Sequence, residues 1–505
     1  MKNSRRITLT AAACLLLLLA AAIFSAVSFL KENYSYVTLE SVIFMLKVPL
    51  EKTESGLVLL GAKTFLKYLA AFFAVYVIIS VNPFGNQTFL VLGRAGRERR
   101  IAWWPANKTV SLILSAALFI SSLIYAGRQF SFADFIRNSL NTSTIYEDCY
   151  AEPSSVTLTF PEKKRNLIFI FLESMEVSYL GEELGGIGRE NLIPELYDLA
   201  AENINFSQSD GVGGAYTAVD TGWTIAAMVG ASAGIPLSVP LDGNAYRGYT
   251  SFLPGALSLG DILKAQDYNL SLLVGSDAEF GGRSYYYAHH GDYKILDYYT
   301  AQQDGIISEG YRVWWGFEDM HLYEYAKKEL TRLSSLDEPF ALTMLTVDTH
   351  HVGGYVCSLC GDSYEKQYSN VIACSSRQVG YFIDWIKRQD FYDDTAVIIM
   401  GDHPSMDAAY FAGTPKDYVR RTFNVFINSA VQTAYDKNRE FTIFDIYPST
   451  LAAMGVKIDG EKLALGVNLF SGEQTLAERF GVSELNRLLA LRSDYYVKNI
   501  LYADG

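Results

Sequence analysis

Residues 7–30, ITLTAAACLLLLLAAAIFSAVSFL, carry no charged side chain. At about 1.5 Å per helical residue the run is about 36 Å long, enough to cross a hydrocarbon core of about 30 Å. In lipid the backbone must satisfy its own hydrogen bonds, so the stretch is expected to be a membrane-spanning helix. Lys2, Arg5 and Arg6 precede it, a start shared with secretory signals. The apolar run is longer than a signal's, however, and further runs follow. A second span is expected at about 57–81, with Lys63 and Lys67 snorkelling to one surface, and a third at 110–126, VSLILSAALFISSLIYA. Arg94, Arg97, Arg99 and Arg100 lie between them and put that loop, with the N-terminus, on the cytoplasmic side. Everything after Ala126 is then outside. A shorter stretch at 40–50, ESVIFMLKVPL, reads as interfacial or re-entrant.

Cysteine placement fits that topology. Cys14 falls in the first span, while Cys149, Cys357, Cys360 and Cys374 all fall in the external part. Four cysteines in an oxidising compartment favour disulfides, with a zinc site as the alternative. The net charge of -13 argues against nucleic acid, whose binders show a basic footprint.

Residues 127–160 are polar and read as an irregular connector. From Asn166 the texture changes to apolar runs, NLIFIFLES, YNLSLLVGS, EPFALTMLTVDTHH and DDTAVIIMGDH, interleaved with helical patterns such as NLIPELYDLAAENI and SSRQVGYFIDWIKRQ. Apolar strands alternating with helices predict an α/β domain around a mainly parallel sheet buried on both faces. Three of the runs end in Glu173, in Asp348 with His350 and His351, and in Asp402 with His403. Ligands in open α/β sheets gather at the carboxyl ends of strands. Five of the six histidines fall at 289/290, 350/351 and 403.

Glu173, Asp402 and His403 offer two carboxylates and an imidazole, a donor set for Mn²⁺, Mg²⁺ or Zn²⁺. Taken alone, an Asp-His pair at a strand end reads equally as a capped loop. The stretch 213–237, GGAYTAVDTGWTIAAMVGASAGIPL, offers Thr217, Thr221 and Thr224 ahead of an apolar helix. A hydroxyl there either caps the helix or acts as a nucleophile where free N–H groups favour phosphate.

NLIFIFLESME, TGWTIAAMVGASAGIPL, GDILKAQDYNLSLLVGSDAEFGGRSYYYAHHG, TVDTHH, MGDH and FDIYPSTLAAMGVKI occur here in this order. The series resembles membrane phosphoglycerol transferases, which include enzymes decorating periplasmic glucans and, more distantly, lipoteichoic acid synthases. These are sulfatase-like members of the alkaline phosphatase superfamily. The apolar runs put a transmembrane region at 1–126, the polar stretch a connector at 127–160 and the amphipathic pattern a helical extension at 473–505; the resemblance, which covers about 160–472, implies a sulfatase-like catalytic domain at 161–472. It implies Thr224 as nucleophile, and Glu173, Thr224, Asp402 and His403 around one ion, manganese or magnesium. Arg283 is expected on the substrate phosphate, His350 in proton transfer, and His351 and His290 nearby on the substrate side. Phosphatidylglycerol would be the donor, and an envelope glycan or polyglycerolphosphate the acceptor. Phosphoethanolamine transfer, phosphodiester hydrolysis and a non-enzymatic anchored binding protein are the alternatives. Likeness to the glucan-modifying members implies Cys360 paired with Cys374, and with it Cys149 with Cys357. Val274 and Gly281 stand where lipoteichoic acid synthases carry His and Trp. No Cys/Ser-x-Pro-x-Arg motif occupies the nucleophile position, which disfavours sulfate ester hydrolysis.

Overall fold

The computed structural model describes residues 2–34, 39, 42, 55–80, 88–92, 99–102, 108–238 and 252–503. It divides into two compact units, the first ending at Ile136 and the second built mainly from Arg137–Gly505.

In the first unit the three apolar runs are the helices Lys2–Asn33, Ser55–Ser80 and Lys108–Gln129. Within them Ile7–Asn33, Val58–Val75 and Val110–Gln129 are long and apolar enough to cross a membrane, and the chain is membrane-anchored. The Phe24 ring sits 5.1 Å from Tyr68, 6.0 Å from Phe72 and 4.7 Å from Tyr125, joining all three helices. Ala13, Ala20 and Ala21 of the first helix and Ser111 and Ser115 of the third are buried, small side chains that let backbones approach. Ser115 Oγ donates to the Ser111 carbonyl, so its hydroxyl is satisfied within its own helix. A hairpin of β1 (Thr88–Leu92) and β2 (Arg99–Ala102) separates the second and third helices. Arg99 and Arg100 lie on β2. Arg94, Arg97 and, but for Val42, the stretch 40–50 lie outside the described residues.

The second unit is built on a seven-stranded sheet. After a short β3 (Leu158–Thr159) come β4 (Asn166–Leu172), β5 (Gly214–Tyr216), β6 (Asn269–Val274), β7 (Lys294–Leu296), β8 (Phe340–Leu345), β9 (Thr395–Gly401) and β10 (Arg421–Ile427). Their order is β5-β10-β9-β4-β8-β6-β7. The five strands from β9 to β7 are parallel, while β10 runs antiparallel to both β9 and β5. The α/β expectation is borne out. Every residue of β8 and β9 is buried, as an apolar strand covered on both faces must be. Ile168, Ile170, Leu342, Met344, Val397 and Ile399 share one core with helices Pro194–Glu202, Asp319–Leu333 and Gln367–Ile386.

The stretch 127–160 is not irregular. Helices Phe132–Leu140 and Ile145–Cys149 occupy much of it, and β3 pairs with Lys457–Ile458. Buried Phe135, Ile145 and Tyr146 give these polar segments enough apolar surface to fold. The last residues form helices Leu476–Phe480 and Val482–Leu489 and a turn Tyr496–Leu501, with Leu485, Leu489 and Ile500 buried.

Candidate active site

Strands β9, β4, β8 and β6 are neighbours in one parallel array, so their carboxyl ends share an edge. Glu173 follows β4, and the chain turns at once through Ser174, which adopts φ +54°. The turn passes over the end of β9 so closely that a Cβ at Gly401 would lie 1.7 Å from the Met175 carbonyl oxygen. Only glycine fits there. Ser174 N–H then donates to Asp402 Oδ1 at 2.7 Å, and so does His403 N–H at 2.7 Å. Ser174 Oγ donates to Glu173 Oε1 at 2.7 Å, and Glu173 N–H to Thr346 Oγ1 at 2.9 Å, tying in the loop after β8.

The imidazole of His403 faces Pro404 O through Nδ1 at 3.0 Å. A carbonyl can only accept, so Nδ1 carries the proton and Nε2 keeps its lone pair for the site. Nε2 lies 3.4 Å from Asp402 Oδ2 and 3.7 Å from Glu173 Oε1. Thr224 is the first residue of helix Thr224–Ala233, whose N-cap is Trp223 and which has no side-chain cap. Its hydroxyl therefore does not cap. Thr224 Oγ1 is 3.4 Å from Glu173 Oε2 and 3.5 Å from His403 Nε2. Thr221 instead donates to the Ala218 carbonyl at 2.8 Å.

Glu173, Asp402 and His403 are all buried, with one ligand atom from each within 4.8 Å of the others. Asp402 Oδ2 is buried and has no hydrogen-bond partner. A dehydrated carboxylate oxygen facing a second carboxylate is costly unless a cation or a proton compensates. Burial, then the charge of Glu173, pushes the Asp402 carboxyl up to about 7. Burial opposes charge on His403, but Asp402 and Glu173 outweigh it and raise its pKa. Oxygen and imidazole donors in this arrangement fit a divalent ion of hard to intermediate character.

Arg283 begins helix Arg283–His289 and is buried. Its Nη2 donates to Ser276 Oγ at 3.0 Å and to the Asp277 carbonyl at 2.8 Å, while its Nε has no partner. Burial lowers its pKa to about 10, which leaves it charged at neutral pH, and it acts electrostatically on Glu173 and Asp402. His350 Nδ1 donates to the His351 carbonyl at 2.7 Å, which frees Nε2. Burial lowers its pKa, so a neutral ring is favoured. The His351 ring stacks on His350 with centroids 4.5 Å apart, and Trp315 packs on His350 at 4.9 Å.

His290 departs from expectation. Its Nδ1 lies 2.8 Å from Asp261 Oδ2 and its Nε2 2.7 Å from the Phe252 carbonyl, so both nitrogens are committed to the fold and none is left for a phosphate. The cysteines do not sort into the expected two pairs either. Cys357, Cys360 and Cys374 cluster, while Cys149 Sγ lies 3.8 Å from Arg479 Nη1. The reason is positional: Cys357 sits between two sulfurs at once.

Sequence reading overlooked a second buried ion pair. Arg420 Nε donates to Glu176 Oε2 at 2.7 Å, its Nη2 donates to Glu176 Oε1 and to the Ser405 carbonyl, and Ser405 N–H donates to Glu176 Oε1 at 3.0 Å. The pair locks the loop after β4 to the loop after β9. The spacing of Glu176 three residues beyond Glu173, and of Ser405 two beyond His403, was the available signal.

A carboxylate-imidazole-hydroxyl set at the carboxyl edge of a parallel sheet defines an α/β protein with a candidate cation-binding site at its strand ends. The family model described as Sulfatase matches residues 165–456, more than half of the chain. The chain therefore belongs to the sulfatase family. Phosphoglycerol transferase I of Escherichia coli (strain 55989 / EAEC) is 33% identical over 265 residues, covering 51% of this chain and 33% of that protein. The match thus spans a third of the length of such curated relatives, and the expected kinship with phosphoglycerol transferases is borne out. Among solved structures, the lipoteichoic acid synthase LtaP from Listeria monocytogenes aligns with a TM-score of 0.46 at 18% identity, covering 65% of this chain and 82% of that one. The lipooligosaccharide phosphoethanolamine transferase EptA from Neisseria meningitidis aligns at 0.48 and 15%, covering 95% and 87%.

Proposed function

We propose that this protein is a membrane-anchored phosphotransferase that moves glycerol phosphate from phosphatidylglycerol to a hydroxyl of an envelope glycan or a polyglycerolphosphate chain. The observation that carries the reading is the Thr224 hydroxyl, uncapped at a helix N-terminus and within 3.5 Å of both Glu173 and His403. The 33% identity to phosphoglycerol transferases supports the choice of donor.

Thr224 Oγ, its proton directed at Glu173 Oε2, attacks the phosphorus. An Oγ–P bond forms, the bond from phosphorus to the diacylglycerol oxygen breaks, and that oxygen takes up the proton that Thr224 passed to Glu173. An acceptor hydroxyl then gives its proton to His350 Nε2 and attacks the phosphorus of the glycerophosphoryl-threonine; the P–Oγ bond breaks and the Thr224 oxygen takes that proton from His350, restoring both groups. Arg283 holds the non-bridging oxygens through its guanidinium, and helix Thr224–Ala233 directs free N–H groups at the same charge. Glu173, Thr224, Asp402 and His403 would hold one divalent ion, manganese on this reading, and such an ion would supply charge stabilisation for phosphoryl transfer. In this scheme 161–472 is the catalytic domain, 1–126 spans the membrane with its N-terminus in the cytoplasm, and the site lies on the outer face beside the lipid donor.

The test is to incubate purified protein and Mn²⁺ with head-group-labelled phosphatidylglycerol. Diacylglycerol should be released and label should appear on the protein. Thr224→Ala should lose both by at least about a thousandfold, the scale on which an essential nucleophile acts. Equal diacylglycerol release by wild type and Thr224→Ala would refute the scheme.

A further inference from the structure

The sulfurs of Cys357, Cys360 and Cys374 lie in the second unit, on elements separate from the Glu173 set. Cys357 Sγ is 3.7 Å from Cys360 Sγ and 3.8 Å from Cys374 Sγ, and the three ligand atoms all fall within 4.8 Å of one another. A tetrahedral zinc with Zn–S bonds of about 2.3 Å has an edge of about 3.8 Å between sulfurs. A disulfide needs about 2.05 Å. Two of the three separations therefore match a metal-centred tetrahedron without any atom moving.

The surroundings are built in the same sense. Cys360 N–H closes a turn onto the Cys357 carbonyl at 3.1 Å. Cys374 comes from helix Gln367–Ile386, and Gln378, one turn later on the same face, sends Nε2 to Cys374 Sγ at 3.4 Å and to Cys357 Sγ at 3.8 Å. Gln378 is 6% exposed, and its Oε1 is buried with no partner. Rotating the amide by half a turn exchanges the two atoms and presents that oxygen to the sulfurs.

We propose that Cys357, Cys360 and Cys374 form a second, structural metal site for one thiophilic divalent ion of the zinc class, with water or the Gln378 oxygen in the fourth position. The ion would staple the loop that carries His350 and His351 to helix Gln367–Ile386. It would add to hydrogen bonds from Gln367 to Gly353 and Gly354, from Tyr368 to Thr349 and from Arg377 to Leu359 that already make that join. The proposal stands apart from the transfer reaction and does not need it.

Full-length protein in detergent, purified without chelator, is assayed for metal by elemental mass spectrometry. In a Glu173→Gln, Asp402→Asn background, which disables the other site, one zinc per chain should remain, and Cys357→Ser should bring it to none. A second measurement needs no cysteine variant. Cobalt exchanged into that background should give a near-ultraviolet thiolate-to-cobalt charge-transfer band of one equivalent, which decides the matter even where Cys357→Ser fails to fold. Absence of both zinc and the cobalt band would overturn the proposal. So would a disulfide between any two of the three sulfurs, found by peptide mapping after thiol blocking.

Discussion

Asp402 divides its two oxygens between different tasks. Oδ1 accepts the Ser174 and His403 N–H groups, while Oδ2 accepts no hydrogen bond and faces His403 Nε2 at 3.4 Å. With its carboxyl raised to about 7 by burial and by Glu173, a bound ion must displace a proton at acid pH. The sign follows: below about 7 the proton competes, and above it the carboxylate is already free. Manganese affinity measured by calorimetry should therefore fall as pH drops below 7, by about tenfold per unit for each proton displaced, since Asp402 and the raised His403 both compete. An affinity unchanged between pH 5.5 and 8 would contradict this. Glu173, Asp402 and His403 were legible as a set because each interrupts an apolar run at a strand end. The roles of His290 and Cys149 were not, since a side chain's neighbours depend on distant segments. The Phe252 carbonyl that takes up His290 is 38 positions away.

At the scale of elements, the loops after β4 and β9 are held in register by Arg420 and Glu176, both buried. Removing one partner strands a charge in the interior. Arg420→Leu should cost about 3–5 kcal/mol of stability, read by denaturant unfolding, whereas the joint Arg420→Leu, Glu176→Leu variant should recover much of that. If the single variant unfolds like wild type, the pair does not lock the loops. The strands β4, β6, β8 and β9 were readable because burial on both faces writes continuous apolar runs. β10 was not singled out, because Arg421 and Asn424 break its pattern. Asn424 is nevertheless buried, where its side chain accepts from Phe206 N–H at 3.1 Å and donates to the Phe206 carbonyl at 3.0 Å. A polar residue satisfied by a neighbouring loop hides a central strand from any hydropathy reading.

For the whole molecule, three apolar helices precede a sheet domain, and the proposed topology makes a direct prediction. In intact cells a cysteine introduced at Tyr381, 69% exposed on helix Gln367–Ile386, should react with a membrane-impermeant maleimide in a Cys14→Ser, Cys149→Ser background. A cysteine at Arg97 should react only after permeabilisation, and the reverse pattern would invert the orientation. Chain order carries one more consequence. Ser174, whose N–H anchors Asp402, precedes it by 228 positions. At about 5–20 residues per second, synthesis takes roughly 10–45 s to cover that distance. During that interval Glu173 has emerged without Asp402 or His403, so a nascent chain has no complete cation cage. The Glu173, Asp402 and His403 set can therefore assemble only after β9 has been delivered.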